Sequence, residues 1–174
     1  MRQRSGDIII RGQRAIANAL ISLMKYKEFK KITVTEICQM AGVNRKTFYR
    51  NFETKEDILK YHLNELFIEY IQDKEGIQGT RNFIEHFLSF YREKHETMGL
   101  LMEKDLMMFT IEEFRKYGVQ ESMEADSGDA FWIGTFISAG LVKVYESWYE
   151  ESFVTPLEKI VNAVVLLIPS IREE

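Results

Sequence analysis

The side chains best suited to chemistry in this sequence are basic and hydroxyl-bearing, and they lie in one short segment, TVTEICQMAGVNRKTFYRNFETK, residues 33–55. Arginine can donate two parallel hydrogen bonds to guanine, and threonine can offer its methyl group to thymine. Tyrosine hydroxyls and lysine ammonium groups suit phosphate oxygens. The segment therefore predicts nucleic-acid binding. The residues expected to face DNA are Thr33, Thr35, Arg45, Lys46, Thr47, Tyr49, Arg50 and Lys55.

Three consecutive helix-start signals position these side chains. Thr33 and Glu36 have the spacing of a capping box, which predicts a helix that runs to about Ala41. Gly42 then supplies a residue that tolerates a left-handed turn. Asn44 is a good cap for a second helix from Arg45 to about residue 51. Two short helices joined by a tight turn are typical of a helix-turn-helix, whose second helix enters the major groove.

The second helix has one apolar and one polar face. Phe48 and Phe52 are four residues apart, so we expect both rings to face the core of the domain. The basic residues are then left on the exposed side. A third start signal at Thr54 and Asp57 begins a longer helix that leaves this domain.

Charge is divided unevenly along the chain. Residues 1–60 hold 13 Lys and Arg against 6 Asp and Glu, a net charge of +7, whereas residues 61–174 hold 10 and 21, a net charge of −11, which together give the −4 of the whole chain. A basic first part on an acidic second part favours phosphate binding at one end only.

The remaining sequence predicts helices almost throughout. Apolar residues recur three and four apart, and only 2 Pro interrupt the chain. Near the C-terminus, Thr155 is expected to cap a last helix with Pro156 at its first position and Glu158 completing the capping box. We see no signal peptide and no apolar run of membrane-spanning length, and a single Cys fits a reducing compartment. The sequence therefore predicts a cytoplasmic protein without membrane association.

The segment TVTEICQMAGVNRKTFYRNFETKEDIL, residues 33–59, resembles the TetR/AcrR family of bacterial transcription regulators, because Ala-Gly-Val, Thr-Phe-Tyr, the following Phe and the Lys fall at the spacing of that family. The resemblance implies an all-α fold, with a three-helix helix-turn-helix DNA-binding domain at residues 1–55. A helical bundle for regulation and dimerisation follows at residues 56–174. It also implies a homodimeric repressor that binds a double-stranded DNA operator and releases it when a small-molecule effector binds the second domain. By position, the resemblance adds Asn44 to the DNA-facing residues.

The second domain is rich in aromatic residues and methionine, which can line adaptable pockets but more often form a core. The residues expected to line an effector pocket are Phe67, Phe87, Phe90, Tyr91, Met102, Met107, Phe109 and Phe136. The last two helices are the expected seam between two copies, because two copies related by a two-fold axis can read two half-sites. The residues expected there are Ile137, Leu141, Tyr145, Trp148, Ile160, Val161, Val164 and Ile168.

No arrangement of residues in the sequence favours catalysis. The three histidines, His62, His86 and His95, lack metal-binding spacing, and no phosphate-binding glycine loop or nucleophile motif is present. We therefore expect no enzyme activity, no metal and no cofactor. Cys38 stands where the resembled family more often has Ala, and we interpret it as core packing. Two other functions stay open: a similar DNA-binding protein controlled by a protein partner, and a helical enzyme or adaptor that does not bind DNA.

Overall fold

The structure is a computed structural model that describes residues 2–73, 78–112, 115 and 130–166, with side chains from residue 9 onward. Within these ranges every regular element is a helix, which confirms the predicted all-α fold. None of the described helices is long and apolar enough to cross a membrane.

The helices follow one another with short connections. They are α1 (Arg2–Met24), a 3₁₀ turn (Phe29–Lys31), α2 (Val34–Ala41), α3 (Arg45–Asn51), α4 (Lys55–Asp73), α5 (Thr80–Glu93), α6 (His95–Glu103), α7 (described over 107–112), α8 (Ala130–Glu150) and α9 (Leu157–Val165).

The chain divides into two compact units, Met1–Leu66 and Phe67–Glu174. The division falls inside α4, later than the boundary expected at residue 55. The first turns of α4 belong to the first unit because Ile58, Leu59 and Leu63 are buried there.

The first unit is built on α1, which packs against α2 and α3, while α2 and α3 contact each other. Ile16, Leu20 and Met24 of α1 are fully buried and lie three or four residues apart, so one face of α1 forms the floor of this unit. Ile37 of α2 and Phe48 of α3 are equally buried. This packing fixes the two short helices that carry the basic residues.

In the second unit, α5 packs against α8 and α9, and α6 contacts α5 and α8. Its largest fully buried side chains are Tyr70, Phe87, Tyr145 and Trp148.

The connection between α8 and α9 contains two non-glycine residues with left-handed backbone, Ser152 (φ 55°) and Phe153 (φ 58°). This conformation is unfavourable for residues with a Cβ atom. The half-buried Phe153 ring packs edge-on against Trp148, with 5.0 Å between centroids. The packing of Phe153 offsets the backbone strain of the turn.

The predicted start of the last helix is wrong by one residue. The residue before α9 is Pro156, in an extended conformation, and no side chain caps the helix. Thr155 is instead tied to the end of α8, because Trp148 Nε1 donates to its carbonyl at 2.7 Å and its own N–H donates to Glu151 at 3.3 Å. These tertiary bonds hold the Thr155 backbone outside the helix.

Candidate nucleic-acid interface

Helix α2 begins with the predicted capping box. The Thr33 hydroxyl accepts a hydrogen bond from Glu36 N–H at 3.3 Å, and the Glu36 carboxylate accepts from Thr33 N–H at 2.9 Å and from the Thr33 hydroxyl at 2.8 Å. Lys27 Nζ also donates to Glu36, at 2.7 Å. The ammonium of Lys27 and the two bonds from Thr33 lower the pKa of Glu36 from 4.5 to about 2. The box leaves the amides of Val34 and Thr35 at the open end of the helix.

The turn between α2 and α3 follows the sequence signals as well. Gly42 has φ 66° and ψ 30°, the left-handed conformation in which glycine carries no Cβ penalty. Asn44 caps α3, because its Oδ1 accepts from Thr47 N–H at 2.8 Å. Each helix of the pair therefore starts at a residue fixed by local hydrogen bonds.

Helix α3 is two-faced. Phe48 is fully buried and Phe52 nearly so, and their ring centroids lie 6.5 Å apart. The opposite face exposes Arg45, Lys46 and Arg50, and the Tyr49 side chain is 51% exposed. The burial of both Phe rings, which was expected from their spacing, turns a continuous basic and aromatic surface outward.

Arg45 and Tyr49 form a pair on this surface. The Arg45 guanidinium lies 3.5 Å from the Tyr49 hydroxyl and 6.0 Å from the centre of its ring. This hydrogen bond is the main reason that the pKa of Arg45 is raised, so the guanidinium stays charged. Beneath it, Cys38 is buried, and burial raises the pKa of its thiol while the charge of Arg45 lowers it. A thiol held protonated in this way is a poor nucleophile.

The structure separates the predicted DNA-facing residues into three groups. Arg45, Lys46, Tyr49 and Arg50 lie exposed along α3, and Thr35 lies exposed at the start of α2. A second group has polar atoms engaged in caps; these residues are Thr33, Asn44 and Thr47. DNA contact by either group stays a prediction.

Lys55 forms the third group, and here the phosphate role expected from the sequence needs correction. The Lys55 ammonium donates to the carbonyls of Phe29 at 2.7 Å, Ile32 at 2.9 Å and Lys30 at 3.2 Å. It also lies 4.9 Å from the centre of the Phe29 ring. An ammonium has three donors, and all three are used inside the domain. Lys55 is therefore not available to phosphate in this conformation.

Sequence reasoning missed Lys27, which holds the Glu36 carboxylate of the capping box. No local signal identifies this pair, because its two members are nine residues apart and lie in different elements. The fold alone brings them together.

In the second unit, most of the residues expected to line an effector pocket lie in a packed aromatic core. Phe67, Phe87, Phe90, Tyr91 and Met107 are each at most 7% exposed. Phe87 and Tyr91 pack with 4.7 Å between ring centroids. Met102 and Phe109 are half-buried.

Phe136 differs from the other expected pocket residues. It is 71% exposed on α8, so its assignment to an internal pocket is wrong. Trp132, one turn earlier on α8, is 69% exposed, and Gly140, one turn later, is exposed too. These residues form one outward stripe of α8.

The residues expected between two copies are also divided by the structure. Leu141, Tyr145 and Val161 are buried within the single chain, so they belong to its own core and their assignment to a seam is corrected. Those that keep partial exposure are Ile137, Ile160 and Val164. Ile168 lies outside the described residues.

A surface groove of about 420 Å³ lies where α8 and α9 meet. Trp148 and Ile160, both expected in the seam, help to line it. None of the expected effector-pocket residues does. The other lining residues are Gly140, Lys143, Val144, Ser147, Glu151 and Thr155.

Within the described part of the chain, no group of three or more His, Cys, Asp or Glu side chains is arranged to hold a metal ion.

Comparison with known proteins supports a helix-turn-helix in the first unit. Residues 16–61 match the family model described as bacterial regulatory proteins, tetR family. A stretch of 70 residues, 40% of this chain, is 34% identical to the HTH-type dhaKLM operon transcriptional activator DhaS of Lactococcus lactis subsp. lactis strain IL1403. The match spans 37% of that relative's length.

Two solved structures share the fold over most of the chain. A TetR transcriptional regulator from Streptococcus agalactiae 2603V covers 96% of this chain and 98% of its own, with a TM-score of 0.69 and 20% identity. A structure of the dihydroxyacetone kinase operon activator DhaS covers 90% of this chain and 93% of its own, with a TM-score of 0.57 and 23% identity. At these identities the likeness concerns the fold.

Proposed function

Because the chain belongs to the TetR family of bacterial regulatory proteins, we propose that it is a sequence-specific transcription regulator that binds operator DNA as a homodimer. The observation that carries the proposal is the exposed face of α3. Arg45, Lys46, Tyr49 and Arg50 point away from a domain core that holds Phe48. A helix of this width fits the major groove, where arginine discriminates guanine.

The proposed DNA contacts fall into two kinds. Arg45 and Lys46, in the first turn of α3, are proposed to contact base edges, since the N-terminal residues of a recognition helix reach them. Thr35, Tyr49 and Arg50 are proposed to contact phosphates and fix the position of the helix. Thr33, Asn44 and Thr47 support this surface through their caps.

The homodimer is proposed on the outward stripe of α8 and the neighbouring groove. Trp132 and Phe136 are exposed aromatic side chains one turn apart, and the stripe continues past Gly140 into the groove lined by Ile160. Contiguous exposed apolar surface marks interaction sites in soluble proteins. A two-fold dimer buries the same patch of both copies.

The decisive experiment measures binding of the purified chain to its own upstream DNA by fluorescence anisotropy at moderate salt. We expect the double variant Arg45→Ala, Arg50→Ala to lose specific binding. The matched control is Lys104→Ala, which removes a cation from the second unit and is expected to bind as the wild type. Equal binding of specific and unrelated DNA by the wild type would refute the proposed function.

Repression is the proposed sign of regulation, since a protein on an operator blocks access of the polymerase. The Lactococcus relative is named as an activator, so the sign needs its own measurement. A reporter fused to the bound promoter is expected to rise when the gene is deleted. A fall in the reporter would establish activation instead.

Release by a small molecule in the second unit is the proposed control. Buried hydroxyl groups of Thr110 and Tyr145 have no hydrogen-bond partner among the described atoms, and a polar ligand would satisfy them. A protein partner is the second candidate, favoured by the exposure of Trp132 and Phe136. Filtration of a cell extract separates the two. Release of DNA by the small-molecule filtrate supports an effector, and release by the retained fraction alone supports a protein partner.

A further inference from the structure

Lys55, the first residue of α4, makes a set of contacts that the proposed function does not use. Its ammonium lies among three backbone carbonyls of residues 29–32, at 2.7, 2.9 and 3.2 Å, and above the ring of Phe29. Such charge-assisted bonds are stronger than neutral ones. The ammonium thereby occupies a defined position inside the domain.

The carbonyls held by Lys55 belong to the segment that leads into α2. Phe29 and Ile32 are buried, at 7% and 2% exposure, so their backbone cannot move without disturbing the core. Ile32 directly precedes Thr33, the residue that caps α2. One ammonium therefore joins the first turn of α4 to the residue before the start of α2, over 23 residues of sequence.

We propose that Lys55 is a positioning residue for DNA binding: it fixes the start of α2 so that Thr35 meets a phosphate, and it does not contact DNA itself. This inference rests on the proposed DNA-binding function. A lysine in direct contact with phosphate releases counterions, so its loss reduces the salt dependence of binding. A lysine that acts through Thr35 leaves that dependence to the residues that touch the phosphates.

The test compares Lys55→Met with the wild type in anisotropy titrations on the same upstream DNA across about 50 to 300 mM salt. Methionine keeps an apolar stem beside Phe29 and removes the three donors. We expect affinity to fall by about tenfold at every salt concentration, from one misplaced contact, with an unchanged slope of log K against log salt. A slope smaller by about 0.9 for each protomer would mean that Lys55 itself contacts phosphate and would overturn the inference. Lys46→Ala is the matched control, and it is expected to reduce the slope.

A double-mutant cycle with Thr35→Val separates positioning from a general loss of stability. If Lys55 acts through Thr35, Thr35→Val costs affinity in the wild type and much less in Lys55→Met. Additive costs would overturn the proposal. Lys55→Arg, which keeps the charge and the donors, is expected to restore part of the affinity.

Circular dichroism confirms that each variant is folded at the assay temperature. If Lys55→Met unfolds, Lys55→Gln retains two N–H donors, and the same slope criterion decides. The outcomes stay distinguishable. Failure of the wild type to prefer its upstream DNA refutes the proposed function, whereas specific binding with a reduced slope in Lys55→Met refutes only this inference.

Discussion

Replacement of Phe136 by Ser tests the outward stripe of α8 as a dimer interface. The Phe136 side chain is 71% exposed in the single chain. A fully buried aromatic side chain removes about 200 Å² from water, so covering the exposed part of Phe136 removes about 140 Å². At about 25 cal/mol per Å² this burial is worth about 3.5 kcal/mol for each protomer.

The ordering of side chains during association reduces this gain, and we take about half of it as realised. A two-fold interface contains the residue twice, so Phe136→Ser is expected to cost the dimer about 3.5 kcal/mol. That cost corresponds to a dissociation constant raised about 300-fold. Folding of the protomer is expected to persist, because the substituted side chain makes little contact with its own chain.

Sedimentation velocity over a concentration series measures the dissociation constant directly. Met108→Ser is the matched control, since Met108 is 60% exposed but lies on α7, outside the stripe. It is expected to leave the dimer unchanged. Equal dissociation constants for wild type and Phe136→Ser would refute the interface, and so would equal weakening by Met108→Ser.

Three further predictions concern specificity, acid stability and turn strain. Arg45→Ala is expected to relax the preference at particular base pairs by about 1–3 kcal/mol each, measured by binding to a library of single-base operator variants; uniform weakening would contradict base contact. The depressed pKa of Glu36 stabilises the fold above pH 4.5, and this contribution is lost as the pH falls towards 2. Glu36→Gln is therefore expected to flatten the acid limb of a stability–pH curve, and an unchanged limb would contradict the Lys27–Glu36 bond. Ser152→Gly is expected to stabilise the fold by about 0.5–1 kcal/mol, because glycine relieves the left-handed strain, whereas Ser147→Gly inside α8 is expected to destabilise it by a similar amount; equal signs in thermal melts would contradict the strain.

The helix starts of the first unit could be predicted from sequence because they depend on hydrogen bonds between residues three apart. Thr33 with Glu36 and Asn44 with Thr47 form such pairs, and each appears as expected. Gly42 takes the left-handed conformation for a reason that is equally local. Thr155 failed as a cap because Trp148, seven residues earlier, holds its carbonyl.

The candidate interface was only partly predictable for the same reason. The alternation of Phe48 and Phe52 with basic residues determines which face of α3 is exposed. A basic residue at the start of α4 carries no information about whether its ammonium meets phosphate or protein. The three carbonyls that occupy Lys55 come from a segment 23 to 26 residues away.

The sequence by itself determined the all-α class, the helix-turn-helix and its basic outer face, because capping, turn chemistry and helical periodicity act over a few residues. Only the tertiary structure decided that Lys55 is engaged inside the domain and that Tyr145 lies in the core while Phe136 faces outward. Apolar spacing shows that a helix has a buried side. Where apolar residues occur nearly all round, as on α8, packing against α5 and α6 selects which of them that side contains.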